Sequence, residues 1–280
     1  MKASIRKALK GALKNDLIWF LCKPVIKIGE LLKQSRTQNE WIGNQVHLKT
    51  ILNEPIVKNG PFKGLKYPDY KSFGSAVFPK IIGSYEKEIT PVIETILRSD
   101  YSVIFDIGAA EGYYAIGLAL KMPGLTVFAY DIDMASRKYC RKMAEINNVS
   151  ERVIIYGECT DETLRSFDFK NKALIISDCE GYEKHLFNKS NLSNLINCDI
   201  LIEVHDCIDI TISDYLESLF SGTHTLEKYK SMDDIEKAKT YLYPETADLD
   251  LQTRKEIFSE KRPGIMEWYW LQPKVNINYL

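Results

Sequence analysis

The stretch VIFDIGAAEG, residues 103–112, constrains the fold of this chain more than any other. An apolar run ends in an acid, Asp106, and two residues later a glycine turn opens at Gly108 and closes at Gly112. An amphipathic segment, Tyr113 to Leu120, follows at once. Strand, tight turn and helix in that order make the first βα unit of a ligand-binding α/β sheet. Glycine lets the backbone turn sharply and approach a ligand closely, and the amides at the helix start face that ligand.

The rest of the chain fits the same architecture. Further strands are expected at 126–132, 153–156, 173–177, 200–204, 224–230 and 266–271, and helices at 113–121, 135–147, 213–220 and 249–259. Continuous apolar strands belong to a parallel sheet covered on both faces. The sequence therefore predicts an α/β fold: a Rossmann-like, doubly wound, mostly parallel seven-stranded sheet with helices on both faces. Residues 81–98 read as one helix leading into it, with Tyr85, Ile89, Val92, Ile93 and Ile96 along one side. This domain is expected to span 81–280. Residues 1–80 form an N-terminal extension, a helical segment followed by a mixed one with turn signals at Asn59-Gly60-Pro61 and Pro68-Asp69. The mixed segment is expected to wrap the main domain or to cover its active site.

Charge is unevenly spread. Residues 1–36 carry nine Lys/Arg and two acids, so this segment is +7, and the net −1 of the whole chain leaves −8 for the rest. With Leu13, Leu17, Ile18, Phe20 and Leu21 on its apolar face, the segment suits docking on the protein body or on a second subunit, so an oligomer is open. The alternative is a peripheral contact with an anionic membrane. The six cysteines are scattered singly with no metal-finger spacing, which points to reduced thiols and a cytoplasmic protein. The apolar run Leu17–Cys22 is far short of a membrane span.

Three features narrow the ligand. The turn reads Gly108-Ala-Ala-Glu111-Gly112, without the GxGxxG spacing of a dinucleotide site. Asp106 puts a negative charge at the mouth, which repels pyrophosphate and suits an ammonium or sulfonium. The second strand ends in Asp131 and Asp133, and a carboxylate there accepts both hydroxyls of a ribose. A ribose and a positive charge without phosphate indicate S-adenosylmethionine rather than a nicotinamide cofactor. A nicotinamide oxidoreductase and a non-catalytic nucleoside-binding scaffold are the rival readings.

DIGAAEGYYAIGLAL, then AYDID, then Asn147-Asn148, resembles the class I S-adenosylmethionine-dependent methyltransferases, and LIISDCEGYEKHLF resembles their FkbM-like branch. The resemblance covers about residues 81–206. It implies that Asp106, Gly108, Ala110 and Gly112 line the methionine part of the cofactor. Asp131 would hold the ribose hydroxyls and Ile132 would pack on adenine. Glu158-Cys159 would lie beside the adenine amino group, and Asp178 beside the methyl group.

Proton removal from the methyl acceptor needs a base near the carboxyl ends of the strands. Asp178 and Glu180 end the fourth strand, and Glu203, His205 and Asp206 the fifth. His205 is the best base, because an unperturbed imidazole titrates near working pH. Asp178 and Glu203 are the further catalytic candidates. Asp178, Glu203 and Asp206 could together clamp a divalent cation, but their spacing is not diagnostic, and no metal is expected. The turn motif of amino-methylating DNA enzymes and the proline-cysteine nucleophile of cytosine methylation are absent, and a −8 body repels a phosphate backbone. An RNA acceptor, reached through the basic N-terminus, is the minor alternative. The resemblance implies O-methylation of a small molecule or of a sugar, in a surface glycan or a lipid-linked precursor.

Overall fold

The computed structural model describes residues 23, 27–29, 46–169 and 172–274. The chain divides into two compact units, Met1–Ile51 and Leu52–Leu280. The described residues of the first unit are helical. The expected apolar face of residues 13–21 lies outside the described residues. Residues 52–80, expected as part of an extension, belong to the same compact unit as the sheet. No helix among the described residues is long and apolar enough to cross a membrane.

The sheet has seven strands: β1 Val103–Ile107, β2 Thr126–Tyr130, β3 Val153–Tyr156, β4 Ala173–Ser177, β5 Cys198–Val204, β6 His224–Lys230 and β7 Glu267–Pro273. Their order is β3-β2-β1-β4-β5-β7-β6. The first five pair in parallel, and β7 runs antiparallel to both β5 and β6. The expected doubly wound, Rossmann-like sheet is therefore present. β4 and β5 are buried along their whole length, as strands covered on both faces must be.

The two faces divide by the alternation of β1. Phe105 and Ile107 join a core with Ile175, Ile200, Ile202, Phe187 and Phe220. Asp106 points to the other face, where its carboxylate accepts from the amide of Ala115 in the helix Tyr113–Lys121. The helix expected over 81–98 is two helices. α1, Val77–Ile82, ends at Gly83, whose left-handed φ of 87° closes the C-terminus with bonds to the carbonyls of Pro79 and Lys80. α2, Thr90–Leu97, begins only after a left-handed Glu86 (φ 48°) and a short 3-10 turn. A helical apolar period continued across this break, so periodicity alone did not reveal it.

Three short helices went unread: Asp161–Ser166, Leu192–Leu195 and Asp234–Thr240. Each is too short to show a clear 3.6-residue period. The strand and helix boundaries around β1 and the helix Tyr113–Lys121 fall where the sequence places them.

Candidate active site

The chain leaves β1 toward one face of the sheet and β4 toward the other, and a crevice opens between their carboxyl ends. A cavity of about 780 Å³ fills it, within the range of small-molecule and cofactor sites. Asp106, Gly108, Ala110, Asp131, Ile132, Glu158, Cys159, Asp178, Glu203 and His205 all line it. Sequence separations of up to 99 residues thus close into one site because parallel strands deliver their ends to one edge.

Gly112 is the exception. It does not line the cavity, and a Cβ there would lie 2.7 Å from Cys140 Sγ and 2.9 Å from Ile116 Cγ1. With φ at 96° it starts the following helix, so its role is packing and chain direction rather than ligand contact. Gly108 serves both ends. It borders the cavity, and a Cβ there would fall 1.7 Å from the Asp178 carbonyl oxygen, so glycine lets β1 and β4 deliver their loops side by side.

The turn is tied to the end of β2. One carboxylate oxygen of Asp131 accepts from the Ala110 amide at 2.7 Å, the other from the Asp133 amide at 2.7 Å. Each oxygen keeps a second lone pair for a ligand. Ile132 is 82% exposed on the cavity lip, free to cover a flat ring. Glu158 is exposed at the same end, and Cys159 beside it is buried, its thiol pushed up to about 12 by burial. Burial, opposed by the Ala115 amide and raised further by Asp178 and Asp131, lifts Asp106 to about 7.

The opposite half of the cavity is built on β4 and β5. Asp178 Oδ1 is enclosed and has no hydrogen-bond partner. Burial and the Glu86 carboxylate push Asp178 up, against the pull of His205. His205 is 3% exposed, and its Nδ1 lies 2.6 Å from Glu183 Oε1. Its Nε2 lies 3.5 Å from both Asp178 Oδ1 and Glu180 Oε2. Burial lowers the imidazole pKa, but the bond to Glu183 and the Asp178, Glu183 and Glu180 charges outweigh it, and the net direction is up. Glu180 and Gly181 both adopt left-handed backbone (φ 51° and 93°), which folds the loop back over the cavity.

Two of the expected acids have other partners. Glu203 is no free base: the Arg262 guanidinium binds its Oε1 and reaches Glu86 Oε1 at 2.6 Å and Glu260 Oε2 at 2.8 Å. Asp206 turns away from the cavity and accepts from the Ser213 amide at 2.9 Å, at the start of the helix Ile212–Phe220. Asp178, Glu203 and His205 hold ligand-type atoms within 4.8 Å of one another. The guanidinium on Glu203 occupies that carboxylate and opposes a second positive charge there.

Sequence reading missed the residues that hold the site in shape. Glu111, inside the glycine turn, is fully buried and accepts from Lys80 Nζ (2.6 Å), Ser72 Oγ (2.6 Å) and the Phe73 amide (3.0 Å). It thereby ties residues 72–80 down beside the turn, where Phe73, Gly74, Ser75 and Lys80 complete the cavity wall. Tyr67 and Tyr241 are core side chains, whereas Phe73 faces the cavity. The available signal for Glu111 was a charged residue enclosed by a glycine turn. For Glu183 it was the last acid of DCEGYE.

The sequence matches no family model and no curated protein. Among solved structures, the fold is similar to the MccD protein (12% identical, covering 68% of this chain and 97% of that one, TM-score 0.41). It is also similar to a precorrin-6y C5,15-methyltransferase from Geobacter metallireducens (17% identical, 64% and 86% covered, TM-score 0.41). A third is a SAM-dependent methyltransferase from Geobacter sulfurreducens in complex with S-adenosyl-L-homocysteine (15% identical, 68% and 91% covered, TM-score 0.43).

Proposed function

We propose that this chain is an S-adenosylmethionine-dependent methyltransferase of the FkbM-like kind, acting on a hydroxyl of a small molecule or sugar. One observation carries the reading: a single cavity has a ribose-type carboxylate, Asp131, at one end and His205, backed by the buried Glu183, at the other. The residues fit the cofactor. The enclosed, unpartnered Asp178 Oδ1 and the buried Asp106 give an acidic wall suited to a sulfonium and an ammonium. A pyrophosphate would meet the same wall with repulsion.

When bound, the cofactor supplies an electrophilic methyl group for in-line displacement. The protein's share is alignment and proton handling. Asp131 and Ile132 hold the nucleoside end at β2. His205 Nε2 faces the cavity and would take the proton from the acceptor hydroxyl as its oxygen bonds the methyl carbon, the methyl–sulfur bond breaks and the neutral thioether leaves. Glu183 accepts from Nδ1–H, fixes the tautomer with its lone pair on Nε2, and stabilises the imidazolium that results. Asp178 and Glu180 stand 3.5 Å from the same nitrogen and favour the charged product of that step.

A glycan or lipid-linked acceptor is supported by the net charge of −8 outside residues 1–36, which disfavours nucleic acid, and by the Phe73 ring on the cavity wall as a stacking surface. Titration calorimetry with S-adenosylmethionine and S-adenosylhomocysteine tests the donor. Micromolar binding of both is expected, with no heat from NAD. Binding of NAD without either adenosyl ligand overturns the reading. Transfer of labelled methyl from S-adenosylmethionine to a panel of glycosides, with RNA as comparison, tests the acceptor class.

A further inference from the structure

The nucleoside contacts of the cavity lie at the ends of β2 and β3, and the proton-handling residues at the ends of β4 and β5. The wall between them is formed by Asp106, the turn from Gly108 and the strap that carries Ser75, Lys80 and Tyr85. A methionine tail would run along this wall, and it is a zwitterion, with one group of each sign to match.

We propose that Lys80 recognises the α-carboxylate of the cofactor's methionine end. This rests on reading the cavity as an S-adenosylmethionine site. Lys80 is 3% exposed, yet it borders the cavity. An ammonium has three N–H donors. Two are directed to Glu111 Oε1 (2.6 Å) and Ser72 Oγ (3.1 Å), which leaves one. Nζ also sits over the rings of Tyr85 (4.7 Å to the centroid) and Tyr113 (5.5 Å), and both rings line the cavity.

Its counter-ion is placed so as not to compete. Glu111 is fully buried behind the turn and is not part of the cavity wall. Its oxygens are held by Ser72, Tyr67 and the Phe73 amide as well as by Lys80. It therefore aims the lysine and holds the strap without presenting a negative charge to the ligand. Asp106 supplies the anion of the pair on the same wall, close enough to feel the Lys80 charge. The half-buried Arg262 on the wall is already shared by Glu86, Glu203 and Glu260. A charge-assisted hydrogen bond in an enclosed site is of the strength that changes affinity by tenfold or more.

The test is calorimetry of the full chain with S-adenosylmethionine and with decarboxylated S-adenosylmethionine, which keeps the sulfonium and the ammonium and lacks only the carboxylate. The wild-type chain is expected to bind the first at least tenfold more tightly. Lys80→Met should lose at least tenfold for S-adenosylmethionine and stay within twofold for the decarboxylated form, whereas Lys80→Arg should regain part of the preference. If Lys80→Met does not fold, Lys80→Met combined with Glu111→Gln removes the ion pair together and carries the same expectation. Equal wild-type affinities, or an equal loss for both ligands in the variants, overturns the role of Lys80 and leaves the cofactor reading standing. Failure of the wild-type chain to bind either ligand overturns the cofactor reading itself.

Discussion

His205 Nδ1 and Glu183 Oε1 are 2.6 Å apart, and Glu183 is fully buried. A carboxylate enclosed at that distance cannot be an incidental surface contact. Its second oxygen, Oε2, has no hydrogen-bond partner, so most of the stabilisation it gains in place of water comes from the imidazole. The pair ties the start of the helix after β4 to the end of β5, on one side of the crevice. Geometry at His205 Nε2 is thus fixed by a residue that does not itself line the cavity.

The first prediction concerns the titration of His205. Glu183 and the neighbouring carboxylates raise its pKa above the ordinary value near 6.5. A raised pKa means that this group stabilises the folded chain fully below pH ~6.5, and that the contribution is lost as pH rises through the folded value. Imidazole NMR signals should show His205 titrating above 6.5 in the wild-type chain and lower in Glu183→Gln. An unchanged midpoint in the variant would remove Glu183 from this role. Once an acceptor is in hand, His205→Ala should lower turnover far more than cofactor affinity, and wild-type activity should rise with pH through the same midpoint.

Gly108→Ala is predicted to be severely destabilising. The new Cβ would lie 1.7 Å from a backbone oxygen of Asp178, and the φ of 81° is itself unfavourable for alanine. Left-handed backbone at a non-glycine residue costs about 1 kcal/mol or more, and forcing the two loops apart adds to that, for a total on the order of 3 kcal/mol. Urea denaturation measures it. A loss below ~1 kcal/mol would mean that the β1 and β4 loops are not held in this contact.

Glu111 should be a stability residue with an acid signature. Burial opposes its charge, but Lys80, Ser72 and the Phe73 amide more than compensate, and its pKa is lowered. A lowered carboxylate pKa gives stability that is present above the unfolded value of about 4.3 and lost as pH falls through the folded one. Glu111→Ala leaves Lys80 buried without its partner, at a cost of about 3–5 kcal/mol. Urea midpoints at pH 7 and pH 4 check this. The variant should lose most at pH 7 and show a flatter acid dependence than the wild-type chain.

The fold was legible in this sequence because its signals are local. The first five strands are short, largely apolar runs, and the turn at Gly108 fixes where the first strand ends and its helix begins. The cavity residues Asp106, Asp131, Asp178 and His205 were legible for the same reason: each sits at a strand end, and a parallel sheet gathers those ends on one edge. What could not be read depends on contacts distant in sequence. Arg262 reaches Glu203 and Glu86, residues 59 and 176 positions away, and no local pattern encodes that. Glu203 therefore looked like a free base when it is an ion-pair partner. Gly112 looked like a ligand contact because a glycine turn gives the same signal whether its space admits a ligand or, as here, a neighbouring cysteine.

Asp131 makes the sharpest test of the nucleoside end. Its two oxygens already brace the Ala110 and Asp133 amides, so the proposed ligand contact and the local shape share one side chain. Asp131→Ala removes both. Because the residue is only half-buried and its partner amides can reach water, the loss of stability should be modest, about 1 kcal/mol. Binding should suffer more, since two hydroxyls lose a charged acceptor in an enclosed site. An affinity loss for S-adenosylhomocysteine of about 10–100-fold is expected, with hydrogen bonds to charged groups worth about 1.5–3 kcal/mol. Asp131→Asn keeps one acceptor oxygen and should fall between the two. Calorimetry alongside urea denaturation separates the effects: an unchanged dissociation constant in Asp131→Ala would exclude the ribose role, and a loss explained by unfolding would appear in the urea midpoint first.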